Sequence, residues 1–236
     1  SKPLGKYSLD VQKSWKPISK GVGLVIGCST FPTWNTVPGV YANLICGNTV
    51  IVKPHPKSVL AIAILLAELR TVLTELGFDA NVVQLAADTT AQPITKELAE
   101  HRDVKLVDYI GGNAFGDYVE GLNKTVFTEK SGINSVIMDS VKDIQAVAQN
   151  IAFSVSLYSG QMCTAPQNIF IAEEVKTAEG VLSFDEVAAH IVEAVQGVIN
   201  HPKMGAGTLG NVQNDATIKR ISKVGGNVLL APRKVE

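Results

Sequence analysis

The feature that most constrains the fold is an alternation of short apolar runs with helix-length stretches, beginning at "GVGLVIG" (Gly21 to Gly27). A compact apolar run flanked by glycines predicts a buried strand. After the turn "CSTFPTW" comes a helix-length stretch to about Cys46, then strand "TVIVK" (Thr49 to Lys53) and a helix capped by Ser58, running to Leu76 and stopped by Gly77. Strand "NVVQL" (Asn81 to Leu85), a helix across Ile94 to His101, strand "VKLVDYI" (Val104 to Ile110), a short helix opened by "GGNAFG" and strand "KTVFT" (Lys124 to Thr128) continue the series. Strands that are apolar almost throughout and separated by helices belong to a parallel sheet covered on both faces. The expected fold class is therefore α/β, a parallel sheet flanked by helices.

From Ser131 the pattern restarts with strand "NSVIM" (Asn134 to Met138), helix Val141 to Tyr158, a cysteine-bearing turn, strand "NIFIA" (Asn168 to Ala172) and a helix beginning near Ser183 and Asp185. A Gly-rich loop "MGAGTLG", a helix "NDATIKRISKV" and a strand "NVLLA" complete the chain, while residues 1–18 read as a polar arm or loop. Two domains are expected, 1–130 and 131–236, the second being part of another α/β unit.

Of the 236 residues 46% are hydrophobic, enough for a sizeable core, and the formal net charge is −1 with no basic block. Nothing in that balance favours nucleic acid or anionic lipid; a small molecule or cofactor fits better. Cys28, Cys46 and Cys163 are an odd, sparse set without CxxC spacing, which argues against a disulfide framework or a metal site and for a reducing compartment. No charged n-region precedes an apolar h-region, and stretches such as "VLAIAILLAEL" are too short to span a bilayer, so the expected location is the cytoplasm.

The glycines of "GVGLVIG" lie before and within the strand, whereas a dinucleotide fingerprint needs them in the turn after it, so they read as packing glycines. Cys163 sits in "SGQMCTAPQ", a turn between a helix and a strand where a side chain can face a cleft. Its residue type alone fits a small buried hydrophobe, while its polar neighbours fit a partly exposed thiolate. Cys28 and Cys46, at a strand end and an apolar helix end, read as structural. Glu129 beside Lys130 is on local grounds a solvated charge, and Gly111-Gly112 is equally a plain tight turn.

Four segments carry a resemblance. "GQMCTAPQ" resembles the catalytic-cysteine motif of the aldehyde dehydrogenase superfamily, and "GNTVIVKPHP" (Gly47 to Pro56) its strand-Lys-Pro cofactor segment. "VDYIGGNAFG" (Val107 to Gly116) resembles the phosphate-side turn and helix, and "FTEKSGINSVIM" (Phe127 to Met138) the stretch with the general-base glutamate. The intervals, 76 positions from Lys53 to Glu129 and 34 from Glu129 to Cys163, are similar to the family's own. The wording "CSTFPTWNTVPG", "KPHP", "DYIGG" and "GQMCTAPQNIFI" is most similar to the branch named for phenylacetic acid degradation, protein N.

The resemblance implies a Rossmann-like parallel sheet flanked by helices as the cofactor domain of an NAD(P)-dependent enzyme that oxidises an aldehyde to a carboxylic acid through a thiohemiacetal and thioester on Cys163, in phenylacetate breakdown. It assigns Glu129 as the base, Lys53 to the adenosine ribose, and Gly111 and Gly112 to the cofactor phosphates. NAD or NADP is the implied cofactor, an aldehyde the implied partner, and a homo-oligomer the implied state of a parent protein. Two alternatives stay open: a CoA-acylating or acyl-reducing member of the superfamily, and a non-catalytic nucleotide-binding domain or inactive fragment.

The chain also departs from the family pattern. Counted back from Gly47, the position of the usual oxyanion-holding Asn is occupied by Thr30, while Asn35 lies five positions on, within the expected helix. Thr30 would donate one hydroxyl bond beside the backbone N–H of Cys163, and loss of one such donor elsewhere costs about 3 kcal/mol. Pro56 replaces a glutamate that bonds the ribose hydroxyls in many NAD-preferring members, and His55 and Lys57 flank it, so NADP is expected to be tolerated. Gly112 stands where a serine is usual, and "AADTTAQP" (Ala86 to Pro93) lacks the glycines common at that turn. An N-terminal segment, a distal "E-x-F-G-P" glutamate and an oligomerisation arm are not found in these residues, so the chain is expected to be a central piece of a longer enzyme.

Overall fold

A computed structural model of the chain describes residues 2–5, 7–212, 215–223 and 225–234. The backbone divides into two compact units, Ser1–Glu129 and Lys130–Glu236.

The first unit opens with an antiparallel hairpin, β1 (Lys2–Leu4) and β2 (Tyr7–Leu9), where the sequence suggested an arm or loop; the chain then runs without regular structure to residue 20. Beyond it lie β3 (Val22–Ile26), α1 (Val37–Ile45), β4 (Thr49–Lys53), α2 (Val59–Glu75), β5 (Val83–Leu85), α3 (Thr95–Glu100), β6 (Val104–Ile110), α4 (Asn113–Glu120) and β7 (Thr125–Glu129). The strands form one sheet in the order β5-β4-β3-β6-β7, and every pairing is parallel.

Alternation along β3 divides the core between the two faces. Leu24 and Ile26 pack with Ala99, Val104, Val107 and Val119 on the side of α3 and α4. Val25 packs with Val40, Val50, Val52, Ile62 and Leu66 on the side of α1 and α2. Burying a side chain of this size stabilises the fold by about 1.5–3 kcal/mol before entropy is counted.

Local chemistry differs from expectation in two places. The hydroxyl of Ser58 does not cap α2; it donates to the carbonyl of Ser29 at 3.0 Å. Residues Ala80–Val82 form a short 3-10 turn, with the Asp79 carboxylate accepting from the N–H of Asn81, and this shortens β5 from the expected strand. Gly77 ends α2 as expected, taking φ +79, the left-handed conformation that closes a helix at low steric cost.

In the second unit β8 (Asn134–Ser140) pairs parallel with β9 (Pro166–Lys176), with α5 (Ile144–Ser156) between them, and β10 (Val181–Ser183) pairs antiparallel with β9. α6 (Phe184–Ile199) starts in a full capping box: the Ser183 hydroxyl accepts from the N–H of Glu186, whose carboxylate accepts from the N–H of Ser183. Met138, Ile151, Val175 and Val187 form the core. Within the expected Gly-rich loop, Gly205–Thr208 make a short helix, α7, closed by the N–H groups of Thr208 and Leu209 donating to the carbonyls of Met204 and Gly205. α8 (Asp215–Ile221) falls inside the expected last helix, whose Asn214 and Val224 lie outside the described residues. The expected strand "NVLLA" is not formed: residues 227–231 pair with no neighbouring strand among the described residues.

Candidate active site

Because all five strands of the first sheet are parallel, their carboxyl ends share one edge. β3 bonds to β4 on one side and to β6 on the other, so the chain reverses direction across the sheet between β3 and β6. Ligands of open α/β sheets gather at such a switch point. That edge carries Gly27 and Cys28 after β3, Lys53 at the end of β4, Asp88 after β5, Gly111 and Gly112 after β6, and Glu129 at the end of β7.

Lys53 is buried, its Nζ 2.9 Å from the carbonyl of Pro54 and 2.6 Å from Oδ1 of Asp88. The other oxygen of Asp88 accepts from the N–H of Ile94 at 3.1 Å. Oδ1 is buried as well; Lys53 meets it as a close ion contact without the angle of a hydrogen bond. Sequence reading missed Asp88, although it is the one acid between residues 80 and 96. Nearby, burial pushes the His55 imidazole below its ordinary pKa, and the charges of Lys53 and Lys57 push it further, with Asp88 opposing them.

Gly112 is the N-cap of α4, and nothing lies within 4 Å of where a Cβ on it would sit. At Gly111 a Cβ would instead collide with the Tyr109 ring, whose hydroxyl donates to the carbonyl of Gly112 at 2.8 Å. Glu129 is exposed, and its backbone carbonyl accepts from the N–H of Gly111 at 3.1 Å, tying the base candidate to the glycine turn. A second carboxylate missed by the sequence is Asp108 on β6. Its pKa is raised by burial first and by the charge of Glu129 second.

Thr30 lies in the loop between β3 and α1. Its carbonyl accepts from the Cys28 thiol at 2.8 Å and from the Asn35 amide at 2.9 Å, and its hydroxyl lies 3.6 Å from the Cys28 sulfur. Asn35 is not in the helix as expected: α1 starts at Val37, with Pro38 in its first turn, and Asn35 turns its side chain back onto Thr30 and Cys28. Cys46, read as structural, is exposed at the C-cap of α1.

Cys163 lies in the second unit. α5 ends at Ser156, and Tyr158, Ser159 and Gly160 follow with φ of 54°, 56° and 68°. Three successive left-handed residues, two of them not glycine, turn the chain sharply before the cysteine. Cys163 is exposed. Its carbonyl accepts a close hydrogen bond from the side-chain amide of Asn134, which also donates to the carbonyl of Ala165 at 3.1 Å. Asn134 was read only as the first residue of a strand; its amide reaches the turn that leads into the parallel neighbour β9, a relation visible only once the strands are paired. Thr30, Lys53, Gly111, Gly112 and Glu129 all belong to the first unit. No metal-holding group of His, Cys, Asp or Glu occurs among the described residues.

A parallel five-stranded sheet with a glycine-headed helix at its switch point defines a Rossmann-type α/β protein. The chain belongs to the aldehyde dehydrogenase family, whose model matches residues 7–226. It is similar to a crystal structure of an NAD-dependent aldehyde dehydrogenase from Burkholderia multivorans, with 46% identity and TM-score 0.84 over 91% of this chain and 39% of that one. An NAD-dependent benzaldehyde dehydrogenase from Corynebacterium glutamicum is 25% identical, with TM-score 0.68, over 87% of this chain and 44% of the other. The 1-pyrroline-5-carboxylate dehydrogenase of Geobacillus thermodenitrificans is 26% identical over 215 residues, which are 86% of this chain and 39% of that protein. The chain thus spans less than half the length of each of these relatives.

Proposed function

We propose that this chain carries the nucleophile and part of the cofactor site of an NAD(P)-dependent aldehyde dehydrogenase, in which Cys163 adds to an aldehyde. The observation that carries the reading is the exposed Cys163, anchored through its carbonyl by Asn134, in a chain of this family.

In this scheme the Cys163 thiolate attacks the aldehyde carbon and holds the acyl group until water releases it. Bound NAD supplies the acceptor for the hydride that leaves the thiohemiacetal. The motif resemblance assigns Glu129 the role of base, for the thiol or for the attacking water, and Thr30 the role of a hydroxyl donor to the oxyanion. Open space over Gly112 and the eight-residue helix it heads fit the close approach of a phosphate. Lys53 fits the ribose less well, since its ammonium is buried and engaged by Asp88 and Pro54. The positive surroundings of His55 and Lys57, with Pro56 between them, support tolerance of a 2′-phosphate and hence of NADP.

For the substrate we favour an aldehyde of aromatic-acid catabolism, the phenylacetate reading suggested by the motif wording, together with a cytoplasmic homo-oligomeric parent. Among the described residues no helix is long and apolar enough to cross a membrane. The test is Cys163→Ala in the longest form of the protein available. Aldehyde-dependent reduction of NAD should disappear while cofactor binding persists, and unchanged turnover would overturn the reading. Supplying CoA or water as acyl acceptor separates the acylating alternative, and phenylacetaldehyde against a short aliphatic aldehyde tests the substrate class.

A further inference from the structure

The turn that delivers Cys163 is held from a distance. The Ser159 hydroxyl donates to the carbonyl of Gly210 at 2.6 Å and accepts from the N–H of Gly210 at 3.2 Å, although the two residues are 51 positions apart. Two residues on, the Gln161 amide donates to the carbonyl of Asn211 at 2.9 Å and to that of Tyr158 at 3.1 Å. The Tyr158 ring lies so close to Gly210 that a Cβ there would sit 2.9 Å from it, nearer than real Cβ contacts come. The residues so gripped include the left-handed Tyr158 and Ser159, a conformation that persists only where surrounding contacts hold it.

We propose that the segment Leu209–Asn211 is a positioning element for the nucleophile, with Ser159 as its principal contact and Gly210 as the residue whose lack of a side chain lets it close on Tyr158. Asn134 fixes the carbonyl of Cys163 and so holds the turn downstream of the thiol; Ser159 and Gln161 hold it upstream. Between these supports the direction of the thiol and of its own N–H is set by the backbone. Releasing the upstream support therefore changes the thiol's surroundings without touching it. This inference rests on the nucleophile reading given above.

The test is the rate of alkylation of Cys163 by iodoacetamide as a function of pH, followed by mass spectrometry of the cysteine peptide in the full chain. Ser159→Ala removes both hydrogen bonds to Gly210, Gly210→Ala pushes the segment off Tyr158, and Ser183→Ala removes the cap of α6 as a control for general loss of stability. Both turn variants should change the Cys163 rate at least fivefold and displace the midpoint of its pH profile, while the control superimposes on the parent chain. Amide exchange should become faster across residues 157–163 in the same two variants. Profiles and exchange that match the parent in Ser159→Ala would overturn the positioning role even if Gly210→Ala fails to fold. Failure of the nucleophile reading is seen separately, in the parent chain, as a Cys163 rate no greater than that of Cys46.

Discussion

Lys53 and Asp88 form a buried ion pair, 2.6 Å apart, with side chains only 5% and 2% exposed. The pair pins the loop after β5 to the end of β4, and Asp88 holds the N–H of Ile94 at the same time. Such a pair adds little over a well-packed apolar one, but breaking it leaves a buried charge. Asp88→Ala should therefore lower stability by about 3–5 kcal/mol. Lys53→Met combined with Asp88→Leu should recover most of that loss. Denaturant midpoints of the single and double variants check both statements.

The His55 pKa is depressed chiefly by burial, then by Lys53 and Lys57. The unfolded chain therefore binds a proton at higher pH than the folded one. The contribution of His55 to stability is present above its unfolded pKa and is lost as pH falls through the folded value. Lys57→Ala should raise the titration midpoint of the imidazole, and binding of NADP, whose 2′-phosphate favours the imidazolium, should raise it more than NAD does. Imidazole resonances followed by NMR against pH measure all three midpoints.

For Asp108 the sign is opposite. Burial and the neighbouring charge of Glu129 raise its pKa, so the folded state holds the proton more tightly than the unfolded state. Stability from this group is present below the unfolded pKa and is lost as pH rises through the folded value. Asp108→Asn should raise stability at neutral pH relative to acid pH, and Glu129→Gln should lower the Asp108 midpoint. Urea titrations at acid and neutral pH test the first, and carboxyl NMR shifts the second.

Cys46 and Cys163 are both exposed, whereas Cys28 is half-buried and donates to the Thr30 carbonyl. Because both are exposed, Cys46 serves as an internal reference, and a faster reaction at Cys163 reports thiolate character. The expected order of alkylation at neutral pH is Cys163, then Cys46, then Cys28. Peptide mass spectrometry after a short pulse of reagent gives it directly.

Much of the fold was legible because the strands are locally self-evident. β4 and β6 have the bounds read from sequence, since each is an apolar-rich interior strand bounded by turn residues. "NVLLA" has a similar local pattern, yet residues 227–231 form no strand, because a strand exists only where a neighbour takes up its N–H and C=O groups. The hairpin at β1 and β2 was missed for the converse reason: its partners are close in sequence, but its short segments carry little apolar signal. At the candidate site, Cys163, Glu129, Thr30, Lys53, Gly111 and Gly112 were named through motif order and interval. Their local chemistry alone left Cys163 open between an inert and a reactive thiol.

By itself the sequence determined the order and kind of most elements from β3 to α6, the parallel sheet and the turn that bears the cysteine, because hydrophobic period and turn chemistry act over a few residues. Tertiary structure decided which side chains meet. Asn134 reaches the carbonyl of Cys163 across 29 positions, Ser159 grips Gly210 across 51, and Asp88 takes the ammonium of Lys53. A hydrogen bond or ion pair needs its partners within about 3 Å in a set orientation, and only the packed chain supplies that.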